Sequence, residues 1–210
     1  IMTHGDDQGL ILPPRLAPIQ VVIVPIYRSD EEKSQVMEAV QKAAEQLAEY
    51  SIKIDTREEV TPGFKFNDWE LKGVPVRMEI GPKDVQNNTV AVSRRDIPGK
   101  AGKGFLPMEN LEQSVGELLD AIHNNMLAQA TQFRDSHIFE AQNYDSFKQI
   151  VADQGWAVGW WSDDKENEAR IKEETKATLR IFASEPDMGE GVCFYSGKRT
   201  RKRAYFARSY

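Results

Sequence analysis

The sequence predicts an α/β fold followed by a smaller domain of strands and helices, and three neighbouring segments carry that prediction. IQVVIVPI, Ile19 to Ile26, is a continuous apolar run rich in β-branched residues, the pattern of a fully buried strand. Ser29 or Asp30 then caps a helix from about Glu31 to Tyr50, with Val36, Val40, Ala43, Ala44 and Leu47 as its apolar stripe. SIKID, Ser51 to Asp55, alternates as a second strand and completes a strand–helix–strand unit.

The remaining elements follow in order. Thr61-Pro62-Gly63 breaks the chain, and Phe64 to Lys72 is long enough for two helical turns. VPVRMEI, Val74 to Ile80, reads as a strand that tolerates Pro75 near its start. Asn87-Asn88 signals a turn, after which Val90 to Arg94 pairs back as a further strand. PGKAGKG, Pro98 to Gly104, reads as a flexible basic loop. Leu106-Pro107 opens a long helix from about Met108 to Phe139, with Leu111, Val115, Leu118, Leu119, Ile122 and Met126 at helical spacing. The first domain is expected to end near residue 125. Beyond it, Asp145 to Asp153 reads as a short helix, WAVGWW at Trp156 to Trp161 as a strand, and Asp163 to Thr178 as a charged helix. Leu179 to Ala183 and Arg203 to Ala207 complete a small sheet.

Composition narrows the function classes. The chain has 210 residues, 40% hydrophobic and 29% charged, which is ordinary globular usage rather than disorder. No apolar run approaches the ~20 residues that cross a bilayer, so no membrane role is expected. A single cysteine, Cys193, rules out an internal disulfide and suits a reducing, cytoplasmic setting. The formal charge of -6 argues against nucleic acid by its sum. Its distribution argues otherwise: carboxylates crowd Asp30 to Glu49, Glu109 to Glu117 and Asp163 to Glu174, whereas cations crowd Lys65 to Lys103 and Lys198 to Arg208. Ile1 precedes Met2, and residues 1 to 16 read as the tail of something upstream.

Most catalytic chemistry is unsupported. His4, His123 and His137 are scattered, with no nucleophile at a telling spacing, so no catalytic residue is expected. No Gly-x-Gly turn follows the first strand, which removes the dinucleotide signature. Structural zinc wants four thiolate or imidazole ligands, and GVCFYSGK offers Cys193 with Ser196 where a second thiolate would stand. No zinc is expected. The segment GFKFNDWELKGVPVRMEIGPKD, residues 63 to 84, is more informative. Rings can stack on unpaired bases for about 1–3 kcal/mol each, cations can pair with phosphates or guanine edges, and Glu70 or Asp84 can accept from base amino groups. The competing reading packs Phe64, Phe66 and Trp69 as core beneath a helix.

These residues resemble a known family. TPGFKFNDWELKGVPVRMEIGPKD is similar to the anticodon-binding domain of class II prolyl-tRNA synthetases of the archaeal/eukaryotic-like subtype. HGDDQGLILPPRLAPIQVVIVPI resembles the exit of their catalytic domain, and IKEETKATLRIF, CFYSGKRT and the terminal ARSY resemble their extra C-terminal domain. The resemblance covers essentially the whole chain. It implies a catalytic-domain remnant or linker at 1–16, an anticodon-binding domain with a mixed sheet flanked by helices at 17–125, and an α+β C-terminal domain at 126–210. It implies an enzyme that ligates proline to tRNA(Pro) using ATP and magnesium, with both bound, and a homodimer formed, in a catalytic domain outside this chain. These residues by themselves are then expected to make no prolyl-adenylate. By motif position, Phe66 would stack on an anticodon base, while Glu70, Arg77, Lys83 and Asp84 would contact base edges and backbone. Tyr210 would be the terminal tyrosine directed at the catalytic domain.

The chain departs from the family in its last domain. Zinc-containing relatives carry four cysteines at positions matching Ser162, Asn167, Cys193 and Ser196, and only Cys193 remains. Trp156, Trp160 and Trp161 are expected to supply replacement core. Two other readings remain open: a free-standing RNA-binding module, and a protein-interaction or accessory domain in which the rings are core.

Overall fold

The computed structural model describes residues 4–184 and 189–208. Two compact units divide the chain, Ile1–Gln129 and Ala130–Tyr210. Among the described residues, no helix is long and apolar enough to cross a membrane.

The first unit opens with a short antiparallel hairpin, β1 (Gly5–Asp6) and β2 (Gly9–Leu10). There follow β3 (Val21–Pro25), α1 (Asp30–Gln46), β4 (Ile52–Ile54), α2 (Pro62–Leu71) and β5 (Val76–Ile80). Then come α3 (Pro82–Asn87), β6 (Thr89–Arg94), β7 (Lys103–Pro107) and α4 (Leu111–Ser136). The five-stranded sheet has the order β4-β3-β5-β6-β7, with β3 parallel to both neighbours and β5, β6 and β7 antiparallel in succession. The sheet is therefore mixed, as the family resemblance implied.

Strand periodicity sorts the two faces. Val21, Ile23, Val76, Met78 and Ile80 enter one core with Val36 and Val40 of α1 and Leu111, Val115, Leu119 and Ile122 of α4. Val22 and Val24 point the other way and pack with Trp69 of α2 and Val74. Helices on both faces explain why the strand at Val21–Pro25 is apolar throughout rather than alternating. The odd-numbered positions of β5 fall on the α2 face, and there the sequence places Arg77 and Glu79 instead of apolar residues.

Local signals fix the helix starts. Ser29 Oγ accepts the Glu32 N–H at 3.2 Å, and Asp30, Glu31 and Glu32 suit the positive end of the α1 dipole. Thr61 Oγ1 accepts the Phe64 N–H at 3.3 Å, and Pro62 stands at the start of α2, where its missing N–H costs nothing.

Several expectations need correction. The Asn87-Asn88 turn is the end of α3, a helix inserted between β5 and β6, and Asn88 closes it in the left-handed region at φ 52. The basic loop is a 3-10 turn at Gly99–Gly102 followed by the edge strand β7. Cross-strand pairing with β6 overrides the loop signal of its glycines. The long helix stops at Ser136 rather than Phe139, because Ile138 to Glu140 leave it to pair in parallel with a strand of the second unit.

That second unit holds β8 (Ile138–Glu140), α5 (Tyr144–Ala152), β9 (Trp156–Trp160), α6 (Lys165–Thr175), β10 (Ala177–Phe182), β11 (Gly191–Val192), β12 (Arg199–Thr200) and β13 (Arg203–Arg208). Its four-stranded sheet runs β10-β13-β9-β8, and β11 pairs with β12. The core is aromatic: Phe147 stacks on Phe194 at 4.7 Å, and Trp161 meets Phe206 edge-on at 5.2 Å. Of the three tryptophans expected in this core, only Trp161 belongs to it; Trp156 is exposed and Trp160 partly so. Strand alternation is the reason, since 156 and 160 fall on the face opposite Ala157.

Candidate functional site

Helix α2 carries the site, and its seating begins at Asp55, the residue after β4. The Asp55 carboxylate is 1% exposed. It accepts Trp69 Nε1 at 2.7 Å, Arg57 Nε at 2.9 Å and Arg57 Nη2 at 2.7 Å. Lys65 Nζ donates to the Asp55 carbonyl at 3.1 Å. Lys65 and Trp69, four residues apart, thereby turn one flank of α2 into the protein. Burial by itself would raise the Asp55 pKa, but the hydrogen bonds from Arg57 and Trp69 and the charge of Lys65 outweigh it and hold the carboxyl well below the usual range. Arg57 also reaches Asp68 at 2.8 Å, and Lys72 joins the same carboxylate at 2.9 Å.

With that flank buried, the adjacent one faces β5. Phe66 and Glu70, again four apart, stand over Arg77. The Arg77 guanidinium lies 4.2 Å from the Phe66 ring centroid, a cation–π stack. It donates to Glu79 Oε1 at 3.1 Å, Glu70 Oε1 at 3.3 Å and Ser93 Oγ at 3.2 Å. Three of the five N–H groups of an arginine are engaged in this way, and the side chain is only 7% exposed. Phe66, Glu70 and Arg77 line one cavity of about 210 Å³ with Asn67, Ser93 and Lys103.

The rings of this segment therefore divide three ways: Trp69 is core, Phe66 is half-buried beside Arg77, and Phe64 is exposed. Of the site residues expected from the sequence, the structure brings Phe66, Glu70 and Arg77 together. Lys83 and Asp84 lie on α3, beyond the end of β5, and do not line this cavity. Asp84 accepts the Gly81 N–H at 2.9 Å and so closes the first turn of its own helix, while Lys83 is exposed. Tyr210 lies outside the described residues. Glu79, Ser93 and Lys103 are additions. Glu79 was within reach of sequence reasoning, two positions along a strand from Arg77 and hence on the same face. Ser93 was not, because it faces Arg77 only through the β5–β6 register.

A larger crevice of about 570 Å³ lies between the starts of α1 and α2, lined by Tyr27, Arg28, Lys33, Glu58 and Lys65 among others. Within it Glu58 accepts Lys33 at 2.6 Å and Tyr27 Oη at 2.9 Å. Lys33 Nζ also lies 5.7 Å from the Tyr27 ring centroid, so a ring, a carboxylate and a cation meet there too, but outside the segment 63 to 84.

In the second unit three of the four positions that the resemblance matched to zinc ligands adjoin one another. Ser162 Oγ and Ser196 Oγ are 3.2 Å apart, and the Ser196 N–H donates to Cys193 Sγ at 3.5 Å. Burial pushes the Cys193 thiol up, and hydrogen bonds from Ser162 and Ser196 pull it down further than that. One thiol among hydroxyls and an amide is a donor set that does not fit zinc. Among the described residues no group of three or more His, Cys, Asp or Glu could hold a metal ion.

Comparison with known proteins matches both units. Residues 20–122 match the anticodon binding domain family, and residues 144–210 match the prolyl-tRNA synthetase C-terminal family. The proline–tRNA ligase of Roseiflexus sp. (strain RS-1) is 50% identical over the whole chain, which spans 44% of that relative. The chloroplastic/mitochondrial proline–tRNA ligase of Arabidopsis thaliana is 49% identical, with 40% of it covered. The crystal structure of prolyl-tRNA synthetase from Cryptosporidium parvum, complexed with L-proline and AMP, superposes over the full chain and 45% of its own length, with a TM-score of 0.88 and 33% identity.

Proposed function

This chain belongs to the prolyl-tRNA synthetase family, of which it carries the anticodon-binding and C-terminal domains, and we propose that it reads the anticodon of tRNA(Pro) for an enzyme that ligates proline to that tRNA. One observation carries the reading: an aromatic ring, a carboxylate and a guanidinium converge around a cavity of about 210 Å³. Phe66 offers a stacking face, and Glu70 accepts the N1 and N2 hydrogens of guanine. Arg77, sunk beneath them, holds Glu70 in place and keeps two N–H groups for a base. Lys83 and Asp84 serve a neighbouring nucleotide from α3. Proline activation with ATP and magnesium, and dimerisation, belong to the catalytic portion that longer relatives carry, in the cytoplasm. The second unit does without zinc, its Ser162, Cys193 and Ser196 hydrogen-bonded in place of a metal.

The test is binding of a tRNA(Pro) anticodon stem-loop. Phe66→Ala and Glu70→Gln should each weaken it by about tenfold, in line with the loss of one stacked or hydrogen-bonded base. Unchanged affinity in both would favour the protein-interaction reading instead.

A further inference from the structure

One buried side chain that borders the same cavity has no part in this reading. Arg95 follows β6, and its side chain is 4% exposed. Its guanidinium works in two directions. Nη1 and Nη2 donate to the two carboxylate oxygens of Asp6 at 3.0 and 2.6 Å, and Nη2 reaches the Gly9 carbonyl at 3.3 Å. From its other edge, Nε donates to the backbone carbonyl of Glu70 at 3.1 Å. A single rigid fork thus ties the turn of the β1–β2 hairpin to the last turn of α2, at the residue whose side chain meets Arg77.

The hairpin is seated on α2 by backbone as well. Gly9 has φ +131, and a Cβ there would come within 2.5 Å of the Leu71 Cα. Gly73 has φ +73, and its Cβ would fall 2.6 Å from the Leu10 side chain. Leu12 N–H donates to the Gly73 carbonyl at 3.3 Å. Gln8, in the hairpin turn, borders the same cavity as Glu70 and Arg77. Residues expected to form a mere connecting tail are therefore built against the reading helix. The Arg95 pairing also holds the Asp6 carboxyl below its usual range.

We propose that Asp6 and Arg95 are positioning residues for guanine recognition: by fixing the Glu70 backbone, the pair sets where the Glu70 carboxylate stands, and touches no base itself. The inference rests on the anticodon reading above. Removing the pair leaves the Phe66 ring and the exposed cations available, so it should cost discrimination more than general affinity.

Asp6→Asn keeps the shape and removes the charge at a residue that is 37% exposed, and so preserves the fold. Arg95→Met removes the fork and keeps the length. Each variant of the 210-residue chain would be titrated with two anticodon stem-loops, one bearing guanines and one bearing inosines, which lack the 2-amino group. The unaltered chain should prefer guanine; both variants should narrow that preference by about fivefold to tenfold, weakening the inosine loop, which keeps the N1 hydrogen, distinctly less than the guanine loop. Weakening of both loops in equal proportion, or a preference that survives in both variants, would overturn the positioning role and leave the reading standing. Absence of any guanine preference in the unaltered chain would remove the reading and this inference together.

Discussion

Asp55 shows how much one carboxylate can organise. It receives Trp69, Arg57 and, through its carbonyl, Lys65, so that three donors from α2 and the preceding loop converge on the end of β4. Replacing it by asparagine would leave the buried Lys65 without its counter-charge, while Arg57 keeps Asp68; a paired, buried charge that loses its partner costs about 3 kcal/mol. The pH dependence follows from the direction of the Asp55 shift. Its folded pKa is depressed, so the stabilisation is fully present above the ordinary carboxylate value of about 3.9 and is lost as pH falls toward the folded value. Urea midpoints should therefore separate Asp55→Asn from the unaltered chain at pH 7, with the gap shrinking below about pH 4. Curves that stay parallel down to pH 3 would show that the carboxylate contributes shape rather than charge. Nothing in the string SIKID marks its last residue as such a hub. The alternation reveals the strand, but the role of Asp55 depends on Trp69 and Lys65 arriving one helix flank later.

Elements with a strong period were legible, and those defined by partners were not. The run at Val21–Pro25, the stripe of α1 and the spacing of Leu111, Val115, Leu119 and Ile122 announce the first core because burial selects every apolar residue on one face. The strands β7 and β8 escaped notice because five and three residues beside glycines, or at the frayed end of a helix, become strands only when β6 and β9 supply the hydrogen bonds. The site divides the same way. Phe66, Glu70 and Arg77 share one motif and meet in space, whereas the join from Asp6 to Arg95 spans 89 positions and leaves no local trace. In the second unit Ser162, Cys193 and Ser196 stand together through hydrogen bonds, and the aromatic cluster of Phe147, Phe194, Trp161 and Phe206 supplies cohesion nearby. Incubation with a strong zinc chelator should leave the melting temperature of this chain unchanged, since a metal bound only to the folded state would add stability by mass action. A fall of several degrees on chelation would overturn the zinc-free reading.

At the scale of the whole chain, a formal charge of -6 has to be reconciled with the proposed polyanionic partner. Segregation resolves it. The carboxylates concentrate on α1, at the start of α4 and on α6, whereas the cavity over Arg77 has Lys103 on its rim and Lys83 one element away. Two of the carboxylates closest to Arg77, Glu70 and Glu79, are themselves hydrogen-bonded to it, so their charge is balanced locally rather than adding to a repulsive field. Such an interface should be specific but only moderately electrostatic. The affinity of the anticodon stem-loop should fall with salt along a shallow logarithmic line, each phosphate contact adding about 0.7 to the slope for a single strand. Lys103→Ala should reduce that slope by about 0.7, weakening guanine and inosine loops alike, because a phosphate contact carries no base information. Lys165→Ala, on the acidic helix α6, should leave the slope untouched. If neither substitution moves the slope, the basic rim over Arg77 is not where the RNA backbone lies; if Lys165→Ala moves it and Lys103→Ala does not, the contact belongs to the second unit. A drop confined to Lys103 ties the charge pattern, the cavity and the anticodon loop to one surface.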